Sequence, residues 1–215
     1  MYQPPHFRED RLEVQHALIG AHPLGLLVTS GRTGLLANPI PFVLDPEALP
    51  LGTLKAHLSR ANAQWRDFDP DREAVVVFQG PEAYITPSWY EAKREHGKVV
   101  PTWNYAMVQA YGRMRIVDDP DWLLRQISAL TARQESARPE PWAVGDAPAS
   151  FVAAQLKGIV GIEIEIARIE GKWKVSQNRS EADRRGVAAG LRLAEDDASR
   201  EMAELVEARG AERQA

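Results

Sequence analysis

The segment Ile159–Ile169 constrains the fold more than any other part of the chain. Ile162, Ile164 and Ile166 alternate with Glu163 and Glu165, the period of two expected of a strand with one face buried and one face wet. A strand of this kind needs hydrogen-bonded neighbours, so the chain must build a sheet. Further short apolar runs supply them: Leu24–Thr29, Leu35–Val43, Thr53–Leu58, Ala74–Phe78 and Met107–Val117. The first two flank Ser30-Gly31-Arg32-Thr33-Gly34 and read as a hairpin. Pro39 and Pro41 inside the second run demand an edge strand or a bulge, where a missing N–H does no harm. Ala83–Ile85 continues the Ala74–Phe78 run after a break at Gly80-Pro81. At the far end Glu170-Gly171 makes a turn, and Trp173–Ser176 pairs back on the preceding strand.

Helical signals lie around these strands. Asp10 with Glu13 has the spacing of a capping box, Leu12, His16 and Ile19 share a face, and His22-Pro23 ends the helix. Pro120 suits the first turn of a second helix, in which Leu123, Ile127 and Leu130 repeat. A third near 149–157 stops at Gly158. From Ser180 onward the chain is helical and polar, with a thin stripe of Val187, Leu191, Ala194, Met202 and Leu205. The regular strand–helix alternation of a parallel α/β sheet is absent. The pattern therefore predicts a mainly β protein with α-helices (α+β), an antiparallel barrel closed or half-closed, with peripheral helices and a C-terminal helical arm. The expected division is a barrel domain over 1–179 and a helical extension over 180–215 packed on it.

Several function classes are excluded at this level. The chain has no cysteine, which removes disulfide scaffolds, thiolate metal sites, iron–sulfur clusters and cysteine nucleophiles. The five histidines (His6, His16, His22, His57, His96) show no metal-ligand spacing. The first residues, MYQPPHFRED, lack a basic region followed by an apolar core, and no run is long enough for a membrane helix, so a cytoplasmic location is expected. The formal net charge of −4 disfavours autonomous DNA binding. There is no helix-turn-helix pattern, and the basic cluster Arg179, Arg184 and Arg185 sits in a segment with six Arg against nine acids from Glu181 onward.

Three stretches could carry chemistry. His57-Leu58-Ser59-Arg60-Ala61-Asn62, followed by Gln64 and Trp65, lies where a strand exits into a loop. Ser-Arg-x-Asn offers a bidentate fork, a hydroxyl and turn amides to a phosphate; it also reads as a solvated turn capped by Asn62. The stretch 86–105 fits neither period and reads as a long loop with a short helix. Its aromatics, with Thr102-Trp103-Asn104-Tyr105, suit a wall for a planar ring, or packing at a core or interface. In Lys172–Arg179, alternation puts Trp173 and Val175 on one face and Lys172, Lys174 and Ser176 on the other, either a cationic site or an exposed basic strand end. Glu163 and Glu165 read as a solvated face and not as a catalytic pair.

The blocks HPLGLLVTS (22–30), ANPIPF (37–42), HLSRANAQW (57–65), VFQGPEAYITPSWY (77–90), GKVVPTWNY (97–105), KGIVGIEIEI (157–166) and EGKWKVSQNR (170–179) resemble, in order, the PaiB-type family of FMN-binding transcriptional regulators. The resemblance covers about residues 1–190. It implies an FMN-binding split barrel, a homodimer with flavin at the subunit interface, and negative transcriptional regulation. By position it implies cofactor contacts from Ala37, Asn38 and Pro39, then His57, Leu58, Ser59, Arg60, Asn62 and Trp65. Trp103 and Asn104 fall in the ring wall. Trp173, Lys174, Ser176, Gln177 and Arg179 would reach the partner subunit's cofactor. No catalytic acid or base is implied. The other activity open to such a chain is that of a flavin-dependent oxidoreductase acting on a small substrate.

Overall fold

The structure, a computed structural model, describes residues 1–48 and 50–212. In chain order the elements are β1 (Arg8–Glu9), α1 (Leu12–Ala21), β2 (Leu24–Gly31), β3 (Gly34–Pro41), β4 (Val43–Asp45), β5 (Thr53–Ser59), β6 (Glu73–Ile85), α2 (Glu91–Glu95), β7 (Thr102–Val117), α3 (Pro120–Glu135), α4 (Ala149–Leu156), β8 (Ile159–Glu165), β9 (Arg168–Lys174), α5 (Glu181–Arg192) and α6 (Asp197–Glu212). The chain divides into two compact units: residues 16–78 with 109–169, and residues 1–15 with 79–108 and 170–215.

The unit formed by 16–78 and 109–169 holds an open, antiparallel sheet in the order β3-β2-β6-β7-β8-β5-β4. The β2–β3 hairpin pairs Leu24 with Pro41 through to Gly31 with Gly34. Gly34, at φ +108°, takes the left-handed backbone that closes the two-residue turn. β3 ends the sheet, which is why Pro39 and Pro41 are tolerated. β8 pairs with β5 (Ala56 opposite Ile162) and with β7 (Ile116 opposite Ile162). Leu54, Ala56, Leu58, Val160, Ile162 and Ile164 point into one core and are essentially inaccessible. Full burial of each Leu, Ile or Val contributes about 1.5–3 kcal/mol. Phe42 and Phe78 meet edge to face at 5.8 Å in the same core.

Glu163 is not on a solvated face. α3 covers that side of the sheet, and Glu163 is buried, accepting from Trp122 Nε1 at 2.7 Å and pairing with Arg115. Alternation placed its side chain opposite the isoleucines, but only the path of α3 determines whether that side meets water. Asp119 caps α3, accepting from Asp121 N at 2.8 Å and Trp122 N at 3.2 Å.

The unit formed by 1–15, 79–108 and 170–215 is built on β1, β9 and the first part of β7, with α2, α5 and α6. Arg8 pairs with Lys172 and Glu9 with Gly171. α5 and α6 bury Val187, Leu191, Met202 and Val206. Trp89 seats against α5 where Gly186 and Gly190 leave a notch; a Cβ on Gly190 would stand 2.3 Å from the indole.

Three strand expectations need correction. β6 runs unbroken from Glu73 to Ile85 through Gly80-Pro81. β7 begins at Thr102, not Met107, so Trp103, Asn104 and Tyr105 are strand residues and not loop. β9 does not fold back on β8; it pairs with β1 and β7. The bend falls at 166–167, where Ala167 N donates to Tyr111 O at 2.8 Å, and the chain carries on along β7. Glu170-Gly171, taken as a turn from its composition, lies inside β9. Just ahead of α1, Glu9 accepts from Arg11 N at 2.9 Å, while Asp10, the expected cap, accepts from Arg8.

Candidate functional site

The first group of candidate residues lies where β5 ends. His57, Leu58 and Ser59 finish the strand, and the chain turns through Arg60–Asn62 into a 3-10 turn at Ala63–Trp65. The turn follows from local chemistry. Asn62 N donates to Ser59 O at 2.9 Å, and Asn62 Oδ1 caps the 3-10 turn by accepting from Gln64 N at 2.9 Å. Ser59 Oγ accepts from Ala61 N at 3.2 Å, and Trp65 Nε1 donates to Arg60 O at 3.1 Å. Arg60 N is tied to Gly158 O at 2.9 Å. These bonds hold the Arg60 side chain outward, where its guanidinium grips Asp118 with two parallel bonds. That contact keeps the Asp118 carboxyl below its usual value, the guanidinium bond being the largest cause.

Gln64, which follows Asn62 in that stretch but is not among the expected cofactor contacts, braces the turn. It is fully buried. Its Nε2 donates to Leu27 O at 3.2 Å, Thr29 Oγ1 at 3.1 Å and Leu36 O at 3.3 Å, and its Oε1 accepts from Asn38 Nδ2 at 2.9 Å. One side chain thus binds the 60–65 turn to β2 and to the Ala37-Asn38-Pro39 stretch of β3. Its sequence signal was its place in the HLSRANAQW block. Of the remaining candidates, Leu58 has its side chain in the core, and His57 Nδ1 lies 2.8 Å from Gln126 Oε1 on α3.

The second group lies in the other unit. Asn104 is buried and donates to Ser176 Oγ at 2.9 Å. Ser176 has φ +65°, an uncommon backbone for a residue with a Cβ. Gln177 supports that bend: its Oε1 accepts from Val175 N at 2.8 Å and its Nε2 donates to Trp173 O at 2.5 Å. Trp173 is buried. Lys174 Nζ donates to Thr102 Oγ1 and Trp103 O. Arg179 stacks over the Tyr90 ring at 4.6 Å. The Trp103 ring is half exposed and meets Tyr84 edge to face at 6.0 Å. Of the two readings of Lys172–Arg179, the exposed basic strand end does not occur: Lys172 is buried and Lys174 half buried.

The donor set suits a phosphate monoester. Arg60 already holds an oxyanion of two equivalent oxygens in the fork geometry that a phosphate shares, and the Ser59 hydroxyl, which accepts from Ala61 N, keeps its own proton to donate beside it. The Trp103–Tyr84 pair offers an apolar surface of the kind a planar ring covers. Among the described residues no helix is long and apolar enough to cross a membrane.

The mostly antiparallel open sheet with six helices is the architecture of the flavin-binding split barrels. The flavocytochrome Anf3 of Azotobacter vinelandii superposes with a TM-score of 0.57 at 12% identity, covering 78% of this chain and 69% of that one. The FAD and heme binding protein of Mycobacterium smegmatis gives 0.54 at 17% identity, covering 77% and 71%. At such identities the likeness concerns the fold alone. The family is given by sequence: residues 1–168 match the family model described as "Putative FMN-binding domain", and the chain belongs to that family, whose cofactor is FMN. It is 32% identical to the protease synthase and sporulation protein PAI 2 of Bacillus subtilis, over 96% of this chain and 97% of that one. It is 37% identical to an uncharacterized protein of Emericella nidulans, over 98% of both.

Proposed function

We propose that this protein is a flavin-dependent regulator that holds FMN between two copies of the chain. The observation that carries the reading is the Ser59–Trp65 turn, in which the half-buried Arg60 guanidinium forms a two-bond fork on Asp118 and the buried Gln64 braces the turn against β2 and β3, in a chain of an FMN-binding family. In this reading Arg60, with the Ser59 hydroxyl, takes the phosphate in place of Asp118. Ala37, Asn38 and Pro39 line the ring edge, with His57, Leu58, Asn62 and Trp65 around the turn. Trp103, Asn104, Trp173, Lys174, Ser176, Gln177 and Arg179 of the second copy complete the site. FMN supplies the redox chemistry; the chain supplies charge, shape and exclusion of water. A negative regulatory role like that implied by the PaiB resemblance would then arise from a flavin-dependent change in the dimer, not from a reading helix of its own.

The test is the visible spectrum of purified protein before and after FMN, with its mass in solution. A dimer that binds FMN and loses it in Arg60→Ala supports the reading. A monomer, or a dimer indifferent to FMN at high micromolar concentration, removes it. Turnover of a reduced nicotinamide with an acceptor would instead favour an oxidoreductase, a reading the half-exposed Trp103–Tyr84 surface also suits.

A further inference from the structure

β9 carries a buried cation that has no anion beside it among the described residues. Lys172 is 7% exposed, yet among the described residues its ammonium forms no ion pair and no hydrogen bond. Its neighbours are the rings of Tyr2 and Tyr105, centred 5.4 and 5.2 Å away. Ring faces offset only part of the hydration an ammonium loses on burial. Lys174, two residues on and on the same face of the strand, is also without a carboxylate among the described residues; it donates to Thr102 Oγ1 and Trp103 O. Among the described residues Arg179 forms no ion pair either, and it lies over Tyr90 at 4.6 Å. The Tyr90 hydroxyl is buried and has no hydrogen-bond partner of acceptable geometry.

The carboxylates of this unit that lie close in the fold are committed elsewhere. Glu9 is held by Arg11 and Arg209, Glu170 by the Met1 ammonium, and Asp183 accepts from Ala92 N at 3.0 Å. Burial, and then the charges of Lys172 and Arg179, hold Lys174 below its ordinary value, so the three cations share one field. A buried, uncompensated group of this kind is unstable without a partner anion.

We infer that Lys172, Lys174 and Arg179, with the Tyr90 hydroxyl, bind the anionic group, a carboxylate or a phosphate, of the small molecule that the flavin site acts on or responds to. The inference rests on the FMN reading for the role of that molecule, and it gives the substrate or signal a negative charge. Lys174 and Arg179 also stand among the residues assigned to the cofactor site; Lys172 stands outside them, which makes it the position to change.

Inorganic phosphate, titrated into FMN-saturated protein and followed by thermal unfolding, is the probe. Wild type is expected to gain stability saturably at millimolar phosphate. Lys172→Met is expected to bind FMN as wild type does and to start more stable without phosphate. Its phosphate affinity should fall tenfold or more. Lys172→Arg, which keeps the charge, should retain the phosphate response. Equal gains in wild type and Lys172→Met overturn the inference, as does no gain in wild type with phosphate or succinate. A gain abolished by saturating FMN also overturns it, because the flavin's own phosphate would then fill the site. Protein that fails to take up FMN yet shows the Lys172-dependent gain would refute the flavin reading and leave the anion site standing.

Discussion

Replacing Glu9 by Gln should cost this protein a large part of its stability near neutral pH and almost none in strong acid. Glu9 is 3% exposed. Arg11 reaches it with Nε at 3.0 Å and Nη2 at 2.8 Å, and its backbone N at 2.9 Å. Arg209, near the end of α6, also donates to Oε2, so one carboxylate ties the last helix to β1. Burial alone would raise the carboxyl pKa, but the bonds from Arg11 and Arg209 outweigh it and lower the value from 4.5 to about 2. That gap corresponds to about 3 kcal/mol of folding stability at neutral pH. Because the folded value is the depressed one, the contribution is complete above the unfolded value of 4.5 and is lost as the pH falls toward about 2. Urea unfolding of wild type and Glu9→Gln across this window tests the reasoning. The variant should be weaker by about 3 kcal/mol near neutrality. The two proteins should converge as the pH approaches 2. A difference below about 1 kcal/mol at neutral pH, or one that does not close in acid, refutes the account.

Other expectations follow from single contacts. Gln64→Leu removes three donated bonds and the support of Asn38, and should lower stability by about 2–3 kcal/mol; an unchanged urea midpoint would show that the scaffold is dispensable. Arg60→Ala should weaken FMN by about 1.5–3 kcal/mol, read by fluorescence titration, and undiminished affinity in a folded variant would place the phosphate elsewhere. Gly190→Val drives a side chain into the Trp89 indole and should cost about 1–3 kcal/mol. Gly145→Ala, with nothing within 4 Å of the new methyl, serves as its neutral control, and equal melting temperatures for the pair would count against the notch.

Local periodicity and turn chemistry determined much of this protein before any coordinates. The β2–β3 hairpin, the edge position of a strand holding Pro39 and Pro41, the long α3 behind Pro120 and the helical segment after Ser180 follow from alternation, missing N–H groups and capping residues. Each is set by residues within a few positions of one another. The ordered blocks also carried the family and its flavin, and HLSRANAQW keeps the Ser59–Trp65 turn and the glutamine that braces it within nine residues. Tertiary structure decided what covers each face and which strand meets which. Glu163 looks solvated until α3 lies over it, and β9 looks like a hairpin partner of β8 until β7 and β1 compete for its edge. Lys172 looks like a surface lysine until Tyr2 and Tyr105, from distant parts of the chain, close around it. A strand's period fixes the direction of a side chain; whether that direction leads to water, to a carboxylate or to a site awaiting an anion depends on segments far away in sequence.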